Sequence, residues 1–536
     1  MQIIRILIKS SLPLFLVASV ASVLTGLCST MVIKTIHEAI QNTNFSPYQF
    51  GLSFLGYWAG YGILSIIASY TVSLLTQKII HKLRIDLSNR ILSSTFESVE
   101  HNQSKLLPIL TEDIKTVSNS IDRLPGVTTG LATVLGIIGY MTWYSPQLSL
   151  ATFFLFLLVY GFTRVTLPYV RKYAYTAREF LNDLYIKFEG LVYGIKELTL
   201  NRDFKRSYLK DQIEPISKLQ NKYYLKENIV SSITNRSTDM ILLLGMGILI
   251  MVIFKTQFVT LEFFGEYLIL VLFTLSPLST AAGFMSGIKR MEASLAHIEK
   301  AGIKIDESEA KNVNINNDSW SSNSSLIEVK NLEHTYYHAE EDESFTLGPM
   351  NLNLMKGEMI FLIGGNGSGK TTLAKIILGL YKPISGDIYY KNIKVENTNL
   401  SAYRSKFSAI FSDSYVFDHL LHIDQSTLKK RGKELIELLE LSKKVKIENG
   451  KFSTKRLSDG QKKRLALIIS ILEDKEIYLF DEWAANQDPH FKEVFYHKVL
   501  AYLKNEGKTI IVITHDDRYF NLADRVLTLR DGQLVN

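Results

Sequence analysis

Asp481 and Glu482 stand side by side where an apolar run stops, in the segment YLFDEWAANQDP (Tyr478–Pro489). Two adjacent acids at the end of a buried strand have two readings. They are the N-cap and first-turn carboxylate of a following helix, or they anchor a metal and activate a water. A second run bears on the choice. LIGGNGSGKTT (Leu362–Thr372) follows the apolar stretch MIFLI, with Gly364, four residues, then Gly369, Lys370 and Thr371. Glycines let such a backbone curl, so that successive N–H groups from Gly364 through Asn366, Gly367, Ser368 and Gly369 point at phosphate oxygens. Lys370 adds a point charge for the β- and γ-phosphates. Thr371 offers its hydroxyl to Mg²⁺, and the helix opened by Thr371 and Thr372 turns its positive end to the anion. Downstream of this loop the acid pair reads as catalytic. Asp481 holds Mg²⁺ through water, and Glu482 polarises the water that attacks the γ-phosphate.

A third piece is KRLSDGQKKRLAL (Lys455–Leu467). Ser458 and Gly460 present a hydroxyl and backbone N–H groups at the start of a helix, a second anion site.

Elements must hold these pieces, and the 536 residues split in two. Charge is nearly absent from long blocks before Gly302 and ordinary after Ser325. A single cysteine, Cys28, excludes an intrachain disulfide and a cysteine metal cluster. About 20 apolar residues cross the roughly 30 Å hydrocarbon layer. Spans are expected within Ser10–Val32, Gly51–Thr76, Leu124–Thr163 (two, with the turn YSPQ at Tyr144–Gln147), Met240–Phe254 and Tyr267–Ile288. The first is too long for a cleaved signal core. Arg236 and Asp239 pair at the wet end of the fifth, and Pro277 predicts a kink in the sixth. Lys and Arg crowd Lys78–Arg123 and Arg164–Arg236, while the short loops Glu38–Phe50 and Tyr144–Gln147 carry none. Both termini and both long loops are therefore expected in the cytoplasm, with spans two to five continuing there as helices. Trp143, Tyr140 and Tyr160 read as interface anchors rather than cavity lining. Arg164 and Glu266, near span ends, read as snorkelling side chains. The expected domains are a transmembrane domain at 1–301, an Asn/Ser-rich linker at 302–325 and a nucleotide-binding domain at 326–536.

Taken together, the ordered motifs resemble those of the ATP-binding-cassette transporters, over nearly the whole chain. The resemblance implies an exporter half-transporter: an all-α six-helix transmembrane domain followed by an α/β P-loop domain. It further implies Walker A at Gly364–Thr371, a signature loop at Leu457–Gln461 that includes Gln461, and Walker B ending at Asp481 with Glu482 as catalytic glutamate. A D-loop at Ala485–Asp488, a switch histidine at His515 and an adenine-stacking Tyr336 complete the set. ATP and Mg²⁺ are the implied cofactors. The implied partner is a second copy of the chain, since each ATP of this family lies between one Walker A and the other chain's signature loop. Two departures stand out. The signature reads LSDGQ, with Asp459 in third place, and Ser412 with Asp413 stand where the family usually has a Gln.

DEWAANQDPHFK, LSDGQKKRLAL, ITHDDRYF and YGIKELTLNRDF are similar to segments of the bacterial cyclic-peptide and siderophore-peptide exporters, the microcin J25 exporter among them. Trp483 replaces the more common Pro after the acid pair. This subgroup implies ATP-driven efflux of a small, constrained peptide or siderophore precursor across the bacterial inner membrane. Nothing resembles an N-terminal peptidase domain, so the cargo is expected already mature. An ATP-dependent lipid flippase, or an ATP-gated channel or sensor, are the competing readings.

Overall fold

A computed structural model describes residues 2–41, 46–144, 146–256, 261–300, 325–338, 343–420, 423–454 and 456–535. The chain forms two compact units. One comprises Met1–Leu92 and Ser98–Ile303, the other Ser93–Glu97 and Lys304–Asn536. Of the expected linker, only Ser325 falls among the described residues.

The first unit is helical. Its long elements are α1 (Gln2–Gln41), α2 (Pro47–Leu92), α3 (Leu124–Tyr144), α4 (Pro146–Tyr193), α5 (Glu214–Thr256) and α6 (Leu261–Lys300). At 1.5 Å per residue, the 46 residues of α2 extend about 69 Å, more than twice a hydrocarbon layer. The continuation of spans into long charged helices is thus observed in α2, α4 and α5. Among the described residues five helical stretches are long and apolar enough to cross a membrane: Ser11–Ala39, Pro47–Leu92, Leu106–Trp143, Ser149–Tyr193 and Leu270–Ala296. The run Met240–Phe254 lies in the last part of α5, where the side chains of residues 249, 250 and 252–256 are outside the described set. Pro277 sits inside α6 without interrupting it, whereas α1 breaks its helical dihedrals at Ser11, two residues before Pro13.

Close helix approach depends on small residues. A Cβ on Gly26 of α1 would meet the Ala132 Cβ of α3 at 2.4 Å, and one on Gly130 would meet Pro277 of α6 at 3.2 Å. Leu75, Ile79, Val117, Ile121 and Met291 pack into one buried cluster. Two buried acids are paired: Asp113 with Arg178 at 2.7 Å and Glu227 with Arg290 at 3.3 Å. Arg236 and Asp239 approach to 3.9 Å, one turn apart as expected. Trp143 is exposed, Tyr140 is hydrogen-bonded to the buried His37 at 2.8 Å, and the Glu266 side chain is outside the described set.

The second unit contains twelve described strands. They are β1 (Ile327–His338), β2 (Glu343–Leu354), β3 (Met359–Gly364), β4 (Ser385–Tyr390), β5 (Ile393–Lys394), β6 (Phe407–Ile410), β7 (Ile447–Glu448), β8 (Lys451–Phe452), β9 (Ile477–Asp481), β10 (Thr509–Ile513), β11 (Arg525–Arg530) and β12 (Gln533–Val535). One sheet runs β2-β1-β4-β5. A six-stranded sheet runs β12-β11-β3-β10-β9-β6, and β7 pairs with β8. In the six-stranded sheet β6, β9, β10, β3 and β11 are mutually parallel, and only β12 is antiparallel. Buried parallel strands need continuous apolar sequence, and β9 and β10 are buried at every residue. The Asp524 carboxylate accepts from the Met359 N–H at 2.9 Å, pinning the start of β3 to the entry of β11 across 165 residues.

In an open sheet of this kind ligands bind outside the carboxyl ends of the strands. Ile513 of β10 is level with Leu362 of β3 on one side and with Asp481 of β9 on the other. The glycine loop, the acid pair and His515 therefore leave three adjacent strands at the same edge.

Candidate functional site

The loop after β3 is shaped by its glycines. Gly364, Gly367 and Gly369 have φ of 152°, 77° and 98°, conformations that L side chains rarely adopt. At Gly364 a Cβ would also strike the Leu529 carbonyl oxygen at 2.1 Å. Gly369 ends the loop, and α7 (Lys370–Ile377) starts directly behind it. Asn366 and Gly367 are exposed, while Ser368 is buried with an Oγ that has no hydrogen-bond partner. The Lys370 ammonium donates to the carbonyls of Gly364 at 2.9 Å and Gly365 at 2.8 Å, so it lies against the inside of the loop.

Thr371 donates its hydroxyl to Asp481 Oδ2 at 2.9 Å, which joins the loop to the acid pair. The other oxygen, Oδ1, is buried without a partner. Burial pushes the Asp481 carboxyl above the usual carboxylate range. The Thr371 hydrogen bond and Lys370 oppose this, and the charges of Glu482 and Asp413 add to it. Burial likewise lowers Lys370, against the pull of Glu482 and Asp481. A buried hydroxyl–carboxylate pair with one unsatisfied oxygen fits a hard divalent cation that takes oxygen ligands. Asp413, in the loop after β6, is near enough for its charge to act on this carboxylate.

Glu482 is the residue where the chain turns. Its φ of 49° and ψ of 34° are left-handed, unusual for a non-glycine. Its N–H donates to the Ile513 carbonyl at 3.0 Å, which holds the turn against β10. The side chain then meets His515, with Oε1 and Nε2 3.2 Å apart. The helix-cap reading of the acid pair is not what the structure contains, since no side-chain cap bond is formed at Glu482.

Sequence reasoning left Trp483 without a role, and the structure supplies one. The indole is buried, stacked on Phe495 at 4.5 Å, and donates Nε1–H to the Lys463 carbonyl at 2.8 Å. Lys463 belongs to α8 (Asp459–Leu472), the helix that starts at the second anion motif. From the same residue Nζ reaches the Glu482 carbonyl at 3.3 Å, and Gln487 Nε2 donates to the Gly460 carbonyl at 3.1 Å. Three hydrogen bonds thus tie α8 to the acid-pair turn. Their partners lie some 20 residues apart, and no local pattern announces them.

Ser458 caps α8, its hydroxyl accepting from the Gln461 N–H, while the Gln461 side chain accepts from the Ser458 N–H. Gln461 is therefore half of a capping box. Asp459 is exposed and paired with Lys462 at 3.0 Å. Asp488 caps the short helix α9 (Pro489–Glu493) through the Phe491 N–H at 3.1 Å. Tyr336 lies on β1 opposite Phe345, and its side chain is outside the described set.

Comparison with known proteins follows the same division. Residues 11–252 match the ABC transporter transmembrane region family, and residues 347–485 match the ABC transporter family. The ATP-binding protein SyrD of Pseudomonas syringae pv. syringae is 31% identical, over 100% of this chain and 96% of its own length. The chain belongs to the ABC transporters. The ATP-binding half of this transporter is also 35% identical, over 40% of the chain, to the energy-coupling factor transporter ATP-binding protein EcfA1 of Mycoplasma mobile, covering 80% of that protein. In fold, the transporter matches a bacterial Atm1-family ABC exporter with ATP bound. The TM-score is 0.78 at 14% identity, with 98% of this chain and 94% of that one covered. It is an ATP-hydrolysing, multi-pass membrane transporter with an exporter-type fold.

Proposed function

We propose that this transporter exports a small, constrained peptide or a siderophore precursor across the bacterial inner membrane, with its ATP-binding half in the cytoplasm. The observation that supports this best is the likeness to SyrD along the full chain, membrane half and cassette together. The cassette geometry supports the roles of the glycine loop, the acid pair and His515, and the family resemblance supports that of Tyr336. Gly364 through Thr372 form the phosphate cradle, Lys370 meets the β- and γ-phosphates, and Tyr336 stacks on the adenine. Glu482 orients and deprotonates the attacking water, and His515 at 3.2 Å holds the Glu482 carboxylate in place. Thr371 and Asp481 would hold Mg²⁺, which, when bound, neutralises charge on the β- and γ-phosphate oxygens.

Two copies complete the machine in this reading. Ser458 is exposed and Gly460 and Gln461 are half-buried at the start of α8, and the first turn of a helix favours an anion. There they meet the γ-phosphate held by the partner's cradle, with Asp488 at the same interface. ATP closes the pair, the long helices carry the movement, and hydrolysis resets it.

Inside-out vesicles test the reading. A compact peptide should accumulate only with ATP and Mg²⁺, and the same peptide should stimulate hydrolysis. Accumulation without ATP, or stimulation by lipids alone across a panel of cyclic and knotted peptides, would overturn it.

A further inference from the structure

Between α4 and α6, within the helical unit, lies a cavity of about 720 Å³. That is inside the roughly 300–1,000 Å³ range of small-ligand pockets. Its lining is one-sided in charge. Arg164, Arg171 and Lys172 come from α4 and Lys289 from α6, and among the described residues no acid lines it. Spacing of i, i+7 and i+8 puts the three α4 cations on one helix face. Met285 and Ala293 flank Lys289 at one turn in either direction and give the α6 wall an apolar surface.

The cations differ in what already occupies them. Lys289 pairs with Glu292 at 2.8 Å, and Arg164 donates to the Tyr160 hydroxyl at 3.2 Å, a neutral partner. Arg171 and Lys172 form no ion pair with a described residue and are exposed. Like charges converging on one concavity raise the local concentration of anions. The expectation that Arg164 merely snorkels is therefore incomplete, because its neighbours on the same face close a pocket with a second helix.

We propose that this cavity is a subsite for the carboxylates of a small acidic peptide, whose apolar side chains rest on Met285 and Ala293. The proposal deepens the peptide-export reading and rests on it. Arg164 and Arg171 are separated by about 10 Å along the helix axis. Two anionic groups spaced along one molecule satisfy that separation, and the single phosphate of a common phospholipid does not. Facing cations on two helices also enclose a ligand, whereas snorkelling cations point outward from one.

The test uses the full chain in phosphatidylcholine nanodiscs and fluorescence anisotropy of a neutral-dye tetrapeptide, two leucines between two aspartates. Its asparagine and lysine twins are the controls. The acidic peptide should bind at least tenfold tighter than the asparagine twin, and that margin should shrink as salt rises. The double variant Arg171→Glu/Lys172→Glu should invert the preference toward the lysine twin, a gain that a misfolded chain cannot produce. Equal binding of acidic and asparagine peptides overturns the proposal, as does a double variant that still prefers the acid. Displacement of the acidic peptide by phosphatidylglycerol at an equal mole ratio overturns it in favour of a lipid occupant. Vesicle uptake of peptide that is indifferent to Arg171→Gln overturns the subsite and leaves the export reading intact. Binding as expected without any ATP-driven uptake overturns the export reading alone.

Discussion

The indole N–H of Trp483 points at the backbone carbonyl of Lys463, 2.8 Å away, and so fastens the turn after Glu482 to the helix that begins at Ser458. In the proposed dimer that helix faces the partner's ATP, while Glu482 serves the chain's own. The bond therefore links the two nucleotide sites through one protomer. Trp483→Phe keeps the stacking on Phe495 and removes the donor. It should cost about 0.5–1.5 kcal/mol of stability, the usual net contribution of one hydrogen bond, since the Lys463 carbonyl lies inside α8 and keeps its place in the helix ladder. It should also lower the Hill coefficient for ATP hydrolysis while leaving KM within about twofold. An unchanged Hill coefficient would reduce Trp483 to packing.

Glu482→Gln should slow hydrolysis by about 10²–10⁴-fold, the usual contribution of a general base. ATP binding should survive, because the phosphate cradle is untouched. Nucleotide-dependent size-exclusion profiles of the variant should show a persistent ATP-filled dimer. Near-normal turnover would remove Glu482 from the mechanism.

Asp481 is burdened by its own burial, which raises its pKa and leaves Oδ1 unsatisfied. An acid whose pKa rises on folding binds more protons folded than unfolded, so the nucleotide-free chain gains stability as pH falls through the folded value. Asp481→Asn should erase that dependence and raise Tm at neutral pH in the absence of nucleotide. The same variant should abolish Mg²⁺-dependent hydrolysis. A Tm that drops would show that the carboxylate is needed for folding and not only for the metal.

Asp459 places a side chain that is 91% exposed, and negatively charged, at the start of α8. An acid there stabilises its own helix but repels an incoming phosphate. Asp459→Gly should lower KM for ATP by about threefold to tenfold. It should also cost a few tenths of a kcal/mol in stability. An unchanged KM would mean that Lys462, 3.0 Å away, already neutralises it.

Asp413 lies near enough to Asp481 to raise its pKa. If it meets the metal through water, Asp413→Ala should cut hydrolysis and cargo stimulation together, while Ser412→Ala should spare both. The two activities surviving in Asp413→Ala would leave Thr371 and Asp481 as the metal's protein ligands.

Much of the cassette was legible because its chemistry is local. Gly364, Gly369, Lys370 and Thr371 act within one turn, and their spacing alone predicts the cradle. The helices were legible for the same kind of reason, since uncharged runs and the YSPQ turn divide α3 from α4. What stayed hidden depends on partners distant in sequence. Nothing around Trp483 announces Lys463, and nothing around Arg171 announces Lys289 on another helix. The left-handed backbone of Glu482 was hidden too, because non-glycine residues carry no mark of it.

The hydrogen bond from Met359 to Asp524 has a consequence in time rather than in space. The strand that carries the phosphate cradle needs β11 beside it, and β11 is synthesised 165 residues later. At roughly 5–20 residues per second, about 10–30 seconds pass before the ribosome delivers it. Throughout that interval the nascent β3 has an open edge, with an apolar run ready to pair wrongly. The birth of this protein therefore contains a fixed delay during which its most reactive loop exists without its neighbour. Slowed translation between β3 and β11 should reduce the yield of ATP-binding protein without altering any residue of the mature chain.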